Sequence, residues 1–304
     1  MIRSVCLALF IAGPAGAGEL CPAAWEKVRA VLSNLGTLQG EAQQDGDWCK
    51  VDGLVMDLDG QYLPDWHVDQ LRVRGSALGW LVDGSQAPDG LEIVVDGLRL
   101  VPQTGDPQMD WLFQAQSRPN AIRAEAALSW DVAEKVLRLE GLTVDFPGEN
   151  LVELSVVARG VDLSSTGALQ MSATGFAVTE ADLRVTTHGL FEWYVLMPFG
   201  PTILPQDGDM EIAADALRMR LRAAVADLPG ASVSTQSKAA LADLIDELPN
   251  PSGDLSVSFR SNGGIGPARF IGWAMTGVPR AASDASAVLE GATVEVDWTH
   301  EDAS

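Results

Sequence analysis

A phrase that returns three times at a fixed interval constrains the fold more than any other feature of this chain. Val51-Asp52-Gly53-Leu54-Val55-Met56, Val95-Asp96-Gly97-Leu98-Arg99-Leu100 and Leu139-Glu140-Gly141-Leu142-Thr143-Val144 each read apolar, acidic, glycine, leucine, any residue, apolar. Their glycines stand 44 residues apart both times. On either side of the acidic-glycine pair apolar residues alternate with polar ones: Ile93 and Val95 before, Leu98 and Leu100 after. A period of two is the mark of a strand with one buried face. The alternation changes phase across the pair, and two geometries accommodate that. A two-residue hairpin would place Val95 opposite Leu98; a glycine β-bulge would absorb one extra residue and let a single long strand keep its inward face. The third copy favours the bulge, because Pro147-Gly148-Glu149-Asn150 is itself a turn, so that 136–146 and 151–163 pair as long strands. Looser echoes occur at Arg159-Gly160-Val161-Asp162-Leu163 and Glu290-Gly291-Ala292-Thr293-Val294.

Further strands are expected near 66–75, 122–130, 168–174, 176–187, 253–260 and 290–298. Helices are expected over 22–35, where Trp25, Val28, Val31, Leu32 and Leu35 share a face ahead of Gly36, and from Asp106-Pro107, an N-cap followed by proline, to before Pro119. Two more are expected over 211–227 and 235–248, the latter capped by Ser234, and another near 267–276. The predicted class is α+β: a large, curved antiparallel sheet packed by an N-terminal helix and C-terminal helices. A β-rich repeat-like region over 18–188 passes into an α+β region over 189–304 that continues the same sheet.

The first residues predict export. Arg3 is followed by an apolar run from Val5 through Ala12 and by Pro14-Ala15-Gly16-Ala17, the order of a secretory leader with its A-x-A cleavage site. About eight apolar residues fall well short of the roughly 20 that cross a bilayer, so residues 1–17 read as a cleavable signal peptide and the protein as periplasmic. Acylation of Cys21 is disfavoured by Glu19 and Leu20 before it. Cleavage removes Cys6 and leaves Cys21 and Cys49, an even pair that in an oxidising compartment reads as a disulfide. Closing a loop of about 29 residues, it is worth about 3 kcal/mol in the loop-entropy model.

The net charge of −22 becomes more negative by one without Arg3. A polyanion of this kind is repelled by nucleic acid and by anionic lipid headgroups. No later segment has the length and hydropathy of a transmembrane helix.

Catalytic signatures are missing. His67, His188 and His300 have no metal-ligand spacing, and no serine stands in G-x-S-x-G. Asn262-Gly263-Gly264-Ile265-Gly266-Pro267 lacks the Lys-Ser/Thr of a phosphate loop. Asp57-x-Asp59-Gly60 and Asp207-Gly208-Asp209-x-Glu211 are fragments of a calcium loop without its full ligand series and read as turns. No catalytic residue, metal or cofactor is expected. The one segment with a functional reading to set against packing is 190–204, where Phe191, Trp193, Tyr194, Met197 and Phe199 stand together with a single charge, Glu192. They either seal the end of the sheet or form a lip that faces a lipid or a partner.

The run Leu137-Arg-Leu-Glu-Gly-Leu-Thr-Val-Asp-Phe-Pro-Gly, followed by Leu151-Val-Glu-Leu-Ser-Val-Val-Ala-Arg-Gly-Val-Asp-Leu, resembles the strand repeats of AsmA-like envelope proteins and of exported alphaproteobacterial proteins, over residues 50–165. The resemblance implies a long curved sheet with an apolar inner groove and a part in lipid homeostasis. This chain departs from that pattern in its short length, in lacking a retained membrane helix and in its C-terminal helices. The expected function is non-enzymatic binding of an apolar ligand or envelope maintenance. The alternatives are an acidic assembly protein that docks a basic partner, and a hydrolase with an unrecognised carboxylate site.

Overall fold

The computed structural model describes residues 17–58, 64–84, 87–197, 200, 208–270 and 287–301. Ten strands form one open antiparallel sheet in which every strand pairs with its neighbours in sequence, in the order β1 to β10. They are β1 Gly36–Asp45, β2 Trp48–Leu58, β3 Asp65–Arg74, β4 Gly90–Val101, β5 Ile122–Asp131, β6 Val136–Phe146, β7 Asn150–Arg159, β8 Ala177–His188, β9 Ser252–Ile265 and β10 Ala292–His300. The sheet therefore runs unbroken through the β-rich region and the C-terminal region.

The repeated phrase lies in mid-strand in β2, β4 and β6, so it is a bulge and not a hairpin. Val95 pairs with Ala124 and Leu98 with Ile122, leaving Asp96 and Gly97 opposite the single residue Arg123. In the same way Glu140 and Gly141 of β6 oppose Ser155 alone. Gly53 and Gly97 take φ of 60° and 77°, a backbone conformation open to glycine at little cost. The extra residue resets the pleat, so Val51 and Leu54 both turn inward and are buried. The 44-residue interval is thus two strands with their connections. The echoes at 159–163 and 290–294 lie at strand ends and carry no bulge.

Pleating then separates two unlike faces. Ile93, Val95, Ala126, Leu142, Leu154, Leu183 and Val257 fall on one; Lys50, Arg72, Glu92, Arg123, Glu153, Arg184 and Arg260 fall on the other. The N-terminal helix and the helix over 235–247 pack on the apolar face. Helix α1, Ala17–Leu32, begins upstream of Pro22 and ends before Leu35, whose N–H turns back to Leu32 O at 2.9 Å. Trp25 on α1 packs with Leu38, Val51, Leu54 and Val68 into a buried apolar cluster at that end, and the Cys21–Cys49 disulfide ties the helix to β2.

Both free edges of the sheet are occupied. Trp25 Nε1 donates to Gly40 O at 3.0 Å and Arg29 Nε to Leu38 O at 3.2 Å, which covers β1. At the other edge Val294 N donates to Ser232 O at 2.8 Å and Val296 N to the Ser237 hydroxyl at 3.0 Å. Unpaired strand edges template further strands; here side chains and a loop hold the groups such a strand would need.

The remaining helices are α2 Ala77–Asp83, α3 Pro107–Ser117, α4 Thr166–Ser172, α5 Met210–Ala226 and α6 Thr235–Glu247. The caps expected at Asp106 and Ser234 form: Asp106 accepts from Gln108 N and Met109 N, and Ser234 from Ser237 N. The strand expected over 168–174 is instead α4. The Ser165 hydroxyl accepts from Ala168 N at 3.1 Å and starts a helix there, and a seven-residue apolar-polar run is too short for periodicity to decide. The helix expected near 267–276 is a 3₁₀ turn at Pro267–Phe270, with the rest outside the described residues. The expected leader likewise lies outside them up to Ala17. Among the described residues no helix is long and apolar enough to cross a membrane.

Candidate functional site

After β8 the chain turns at Gly189 and forms a helical stretch over 190–197 that is widened to a π-turn at Glu192–Leu196, with Met197 N donating to Glu192 O. The stretch lies across the end of the sheet, on the apolar face. Two contacts fix it. The Tyr194 ring stands 4.7 Å from the ring of Phe146, at the end of β6, and Asn250 Nδ2 donates to Glu192 Oε1 at 2.6 Å, joining the stretch to the entry of β9. Burial of Tyr194 pushes its phenol above the ordinary value.

Beneath the stretch is a cavity of about 380 Å³. Its floor is Val152, Val185 and Leu255 of the sheet with Trp298 of β10; Leu244 and Ile245 of α6 make one wall, and Leu190, Phe191 and Val195 the other. The one hydroxyl in the lining, that of Thr187, lies 3.4 Å from Pro251 O and donates to it. A second cavity of about 490 Å³ lies between Phe191, Leu196 and the apolar side of α5, formed by Met210, Ala214, Leu217 and Leu221. Phe191 and Leu248 line both cavities, so the two compartments meet at those side chains. The polar lining of the second is Glu211, Asp215 and Arg218; Arg218 also donates to Leu248 O at 3.1 Å and is paired with Asp215. Both spaces are lined mainly by apolar side chains, and the charged groups of the second all stand on α5.

The five aromatic and methionine candidates divide. Phe191 is a shared wall. Trp193 and Tyr194 line a separate depression of about 440 Å³ with Asn120, Pro147, Asn150 and His188. Trp193 and Met197 are 72% and 67% exposed, so on the outer side the stretch is a lip. Phe199 lies outside the described residues. Sequence reasoning overlooked Leu244, Ile245, Leu255 and Trp298, whose helical and strand spacing marked them as packing residues without showing that they face a space.

Farther along the sheet, over β4 to β6, Ile93, Val95, Leu128 and Leu142 of the apolar face are half-buried. The opposite face is a lattice of charges of both signs. Arg72 and Arg123 flank Asp96 at 3.6 and 3.5 Å, Lys50 pairs with Asp52 at 2.9 Å, and Asp182 pairs with Arg260 at 2.9 Å. Lys50 holds the Asp52 carboxyl below the ordinary range, and Arg260 does the same for Asp182. Acids alternate with bases there instead of forming a surface of one sign.

Among the described residues no hydrogen-bond donor reaches the buried Oε2 of Glu192 or of Glu247. Their other oxygens accept from Asn250 and from Trp298 Nε1 at 2.8 Å, and His300 Nδ1 stands 3.1 Å from Glu247 Oε2, within ion-pair distance. These contacts tie α6 to β10, and the lip to the segment between α6 and β9. Among the described residues no group of three His, Cys, Asp or Glu stands close enough to hold a metal ion. Asp209, expected in a turn, caps α5 through Glu211 N and Ile212 N.

No protein-family model matches the chain, and no curated protein matches it in sequence.

Proposed function

We propose that this protein is a non-enzymatic, periplasmic binding module that shelters an apolar ligand, in the simplest case an acyl chain, between the apolar sheet face and the 190–197 stretch. The observation that carries this reading is the pair of apolar cavities that meet at Phe191 and Leu248. The site places little in reach of a reacting group and much in reach of a hydrocarbon: an apolar surface gains roughly 25 cal/mol for every Å² removed from water. The Cys21–Cys49 disulfide suits an oxidising compartment, in line with the leader read from residues 1–17. The resemblance of the strand repeats to those of AsmA-like envelope proteins supports a part in lipid homeostasis.

The test is native mass spectrometry and solvent extraction of residues 18–304, with titration by a fluorescent fatty-acid analogue. Wild type should carry or take up one apolar ligand saturably. Leu244→Trp, which fills the inner cavity, should bind about tenfold or more weakly, a loss of about 1.4 kcal/mol, with an unchanged circular dichroism spectrum. A wild-type protein that extracts clean and shows no saturable uptake would refute the reading.

A further inference from the structure

The depression of about 440 Å³ beside the lip differs in chemistry from the two apolar cavities, and it shares no lining residue with either. Among the described residues its lining is Trp193, Tyr194, His188, Asn120, Asn150 and the Pro147-Gly148 turn, with no carboxylate, in a chain that has 42. The walls are fixed from behind. The buried Asn150 side chain joins the turn between β6 and β7 to the end of β8: its amide donates to Pro147 O at 2.7 Å and to Gly148 O at 3.1 Å, and its Oδ1 accepts from His188 N at 2.5 Å. His188 Nδ1 lies 3.2 Å from the Ser252 hydroxyl and 3.4 Å from Glu301 Oε2, and the Tyr194 ring rests on Phe146.

The same residues keep polar groups to offer. Among the described residues nothing hydrogen-bonds the Tyr194 hydroxyl, Trp193 Nε1 or His188 Nε2; the first and last stay open to solvent, and Trp193 is 72% exposed. Asn120 and Tyr194 also line a neighbouring depression of about 300 Å³ with Phe113, Gln116 and Ser117 of α3. Its one charged lining residue, Arg99, is engaged by Asp69 at 2.8 Å and by Gly97 O.

These groups select an occupant. A hydrocarbon would bury the phenol and the imidazole without partners, at about 1–3 kcal/mol for each. An ammonium group would find no carboxylate in the lining, and nucleic acid is repelled by the net charge of −22. A peptide added as a strand needs a free sheet edge, and both edges are occupied. A sugar ring meets every condition. Its C–H face stacks on indole and phenol rings, and its hydroxyls, each a donor and an acceptor, pair with a hydroxyl, an imidazole and amides.

We infer that this depression binds a neutral sugar, with one ring against Trp193 and Tyr194 and a second reaching the amides of Asn120 and Gln116. The inference goes beyond the sheltering of an apolar ligand and stands without it, because the two sites have no lining residue in common.

Titration of residues 18–304 with the tetramers of N-acetylglucosamine and of glucose, followed by calorimetry and indole fluorescence, tests it. Wild type should bind at least one of them saturably at millimolar concentration or below, more tightly than the parent monosaccharide, and should bind a galacturonate tetramer more weakly. Trp193→Ala should weaken binding about tenfold or more, the equivalent of about 1.4 kcal/mol, and Trp193→Phe should recover part of the loss. Tyr194→Phe, which leaves the ring on Phe146 and removes only the hydroxyl, should weaken it about fivefold, the equivalent of about 1 kcal/mol. Because the indole is exposed and the phenol unpaired, these variants should keep the wild-type circular dichroism spectrum. No saturable binding of either neutral tetramer, wild-type affinity in Trp193→Ala or in Tyr194→Phe, or tighter binding of the galacturonate tetramer would each overturn the inference. Sugar binding by a protein that takes up no fatty-acid analogue would sink the apolar-ligand reading and leave this one standing.

Discussion

Three glycines occupy the same place in the repeated phrase, yet their surroundings predict three different costs for alanine. At Gly53, φ is 60° and an added methyl group would meet nothing within 4 Å. The cost is therefore the left-handed backbone alone, about 1–2 kcal/mol, reduced by the smaller entropy of the unfolded alanine chain, about 0.4–1 kcal/mol, for a net of about 1. At Gly97, φ is 77°, and the methyl carbon would fall 2.7 Å from Asp69 Cβ and closer still to its carboxyl group. Asp69 would have to rotate away from Arg99, with which it is paired at 2.8 Å and whose side chain is only 9% exposed. Removing the partner of a buried charge costs about 3–5 kcal/mol, but Asp69 is 63% exposed and solvent screens much of that, so the expected total for Gly97→Ala is about 3 kcal/mol. At Gly141 the backbone is outside the left-handed region and the site is open, so alanine should be neutral or stabilising by up to about 1 kcal/mol. Equilibrium urea unfolding, with the slope unchanged across the set, measures all three. Equal losses, or the largest loss at Gly141, would refute the account of the bulges as positions of distinct backbone geometry.

Acid should unmask Asp162. Lys135 at 2.7 Å and the hydroxyl and amide of Ser164 lower its carboxyl from 3.8 to about 2. Because the folded value is the lower one, the stability it contributes is complete above the unfolded value, about 3.9, and is lost as pH falls toward 2. Urea denaturation of wild type and Asp162→Asn should differ by a constant amount above about pH 5 and converge below the unfolded value; a difference independent of pH would show that the ion pair contributes nothing. Trp25→Phe combined with Arg29→Ala frees the carbonyls of Gly40 and Leu38 on the β1 edge while retaining an aromatic ring in the cluster. Sedimentation should then show concentration-dependent association absent from wild type, and a strictly monomeric variant would mean that the edge is guarded by something other than these two bonds.

Strand positions were legible because alternation is written into each segment: 136–146 is β6 residue for residue, and 122–130 and 176–187 match β5 and β8 to within a residue at either end. The caps at Asp106 and Ser234 were legible for the same reason, a side chain acting on its own next turn. Helix α4 was misread because Ala168 to Ser172 alternates weakly over too few residues, and α2 was missed for want of any strong pattern across Ala77–Asp83. The candidate site was half legible. Its cluster of apolar residues at 190–197 was plain, but Trp193 and Tyr194 are adjacent in sequence and lie in opposite surroundings, one 72% exposed and the other against Phe146.

The sequence by itself determined the sheet, the positions of most of its strands and the pairing of Cys21 with Cys49, since each follows from short-range periodicity or from simple counting. Only the tertiary structure decided that the phrase carries a bulge in mid-strand instead of a hairpin, because that depends on how many residues the opposing strand offers. It also decided that Phe191 and Leu248, 57 residues apart, wall two cavities. A space between elements has no sequence of its own and exists only once α5, α6 and the lip have docked on the sheet.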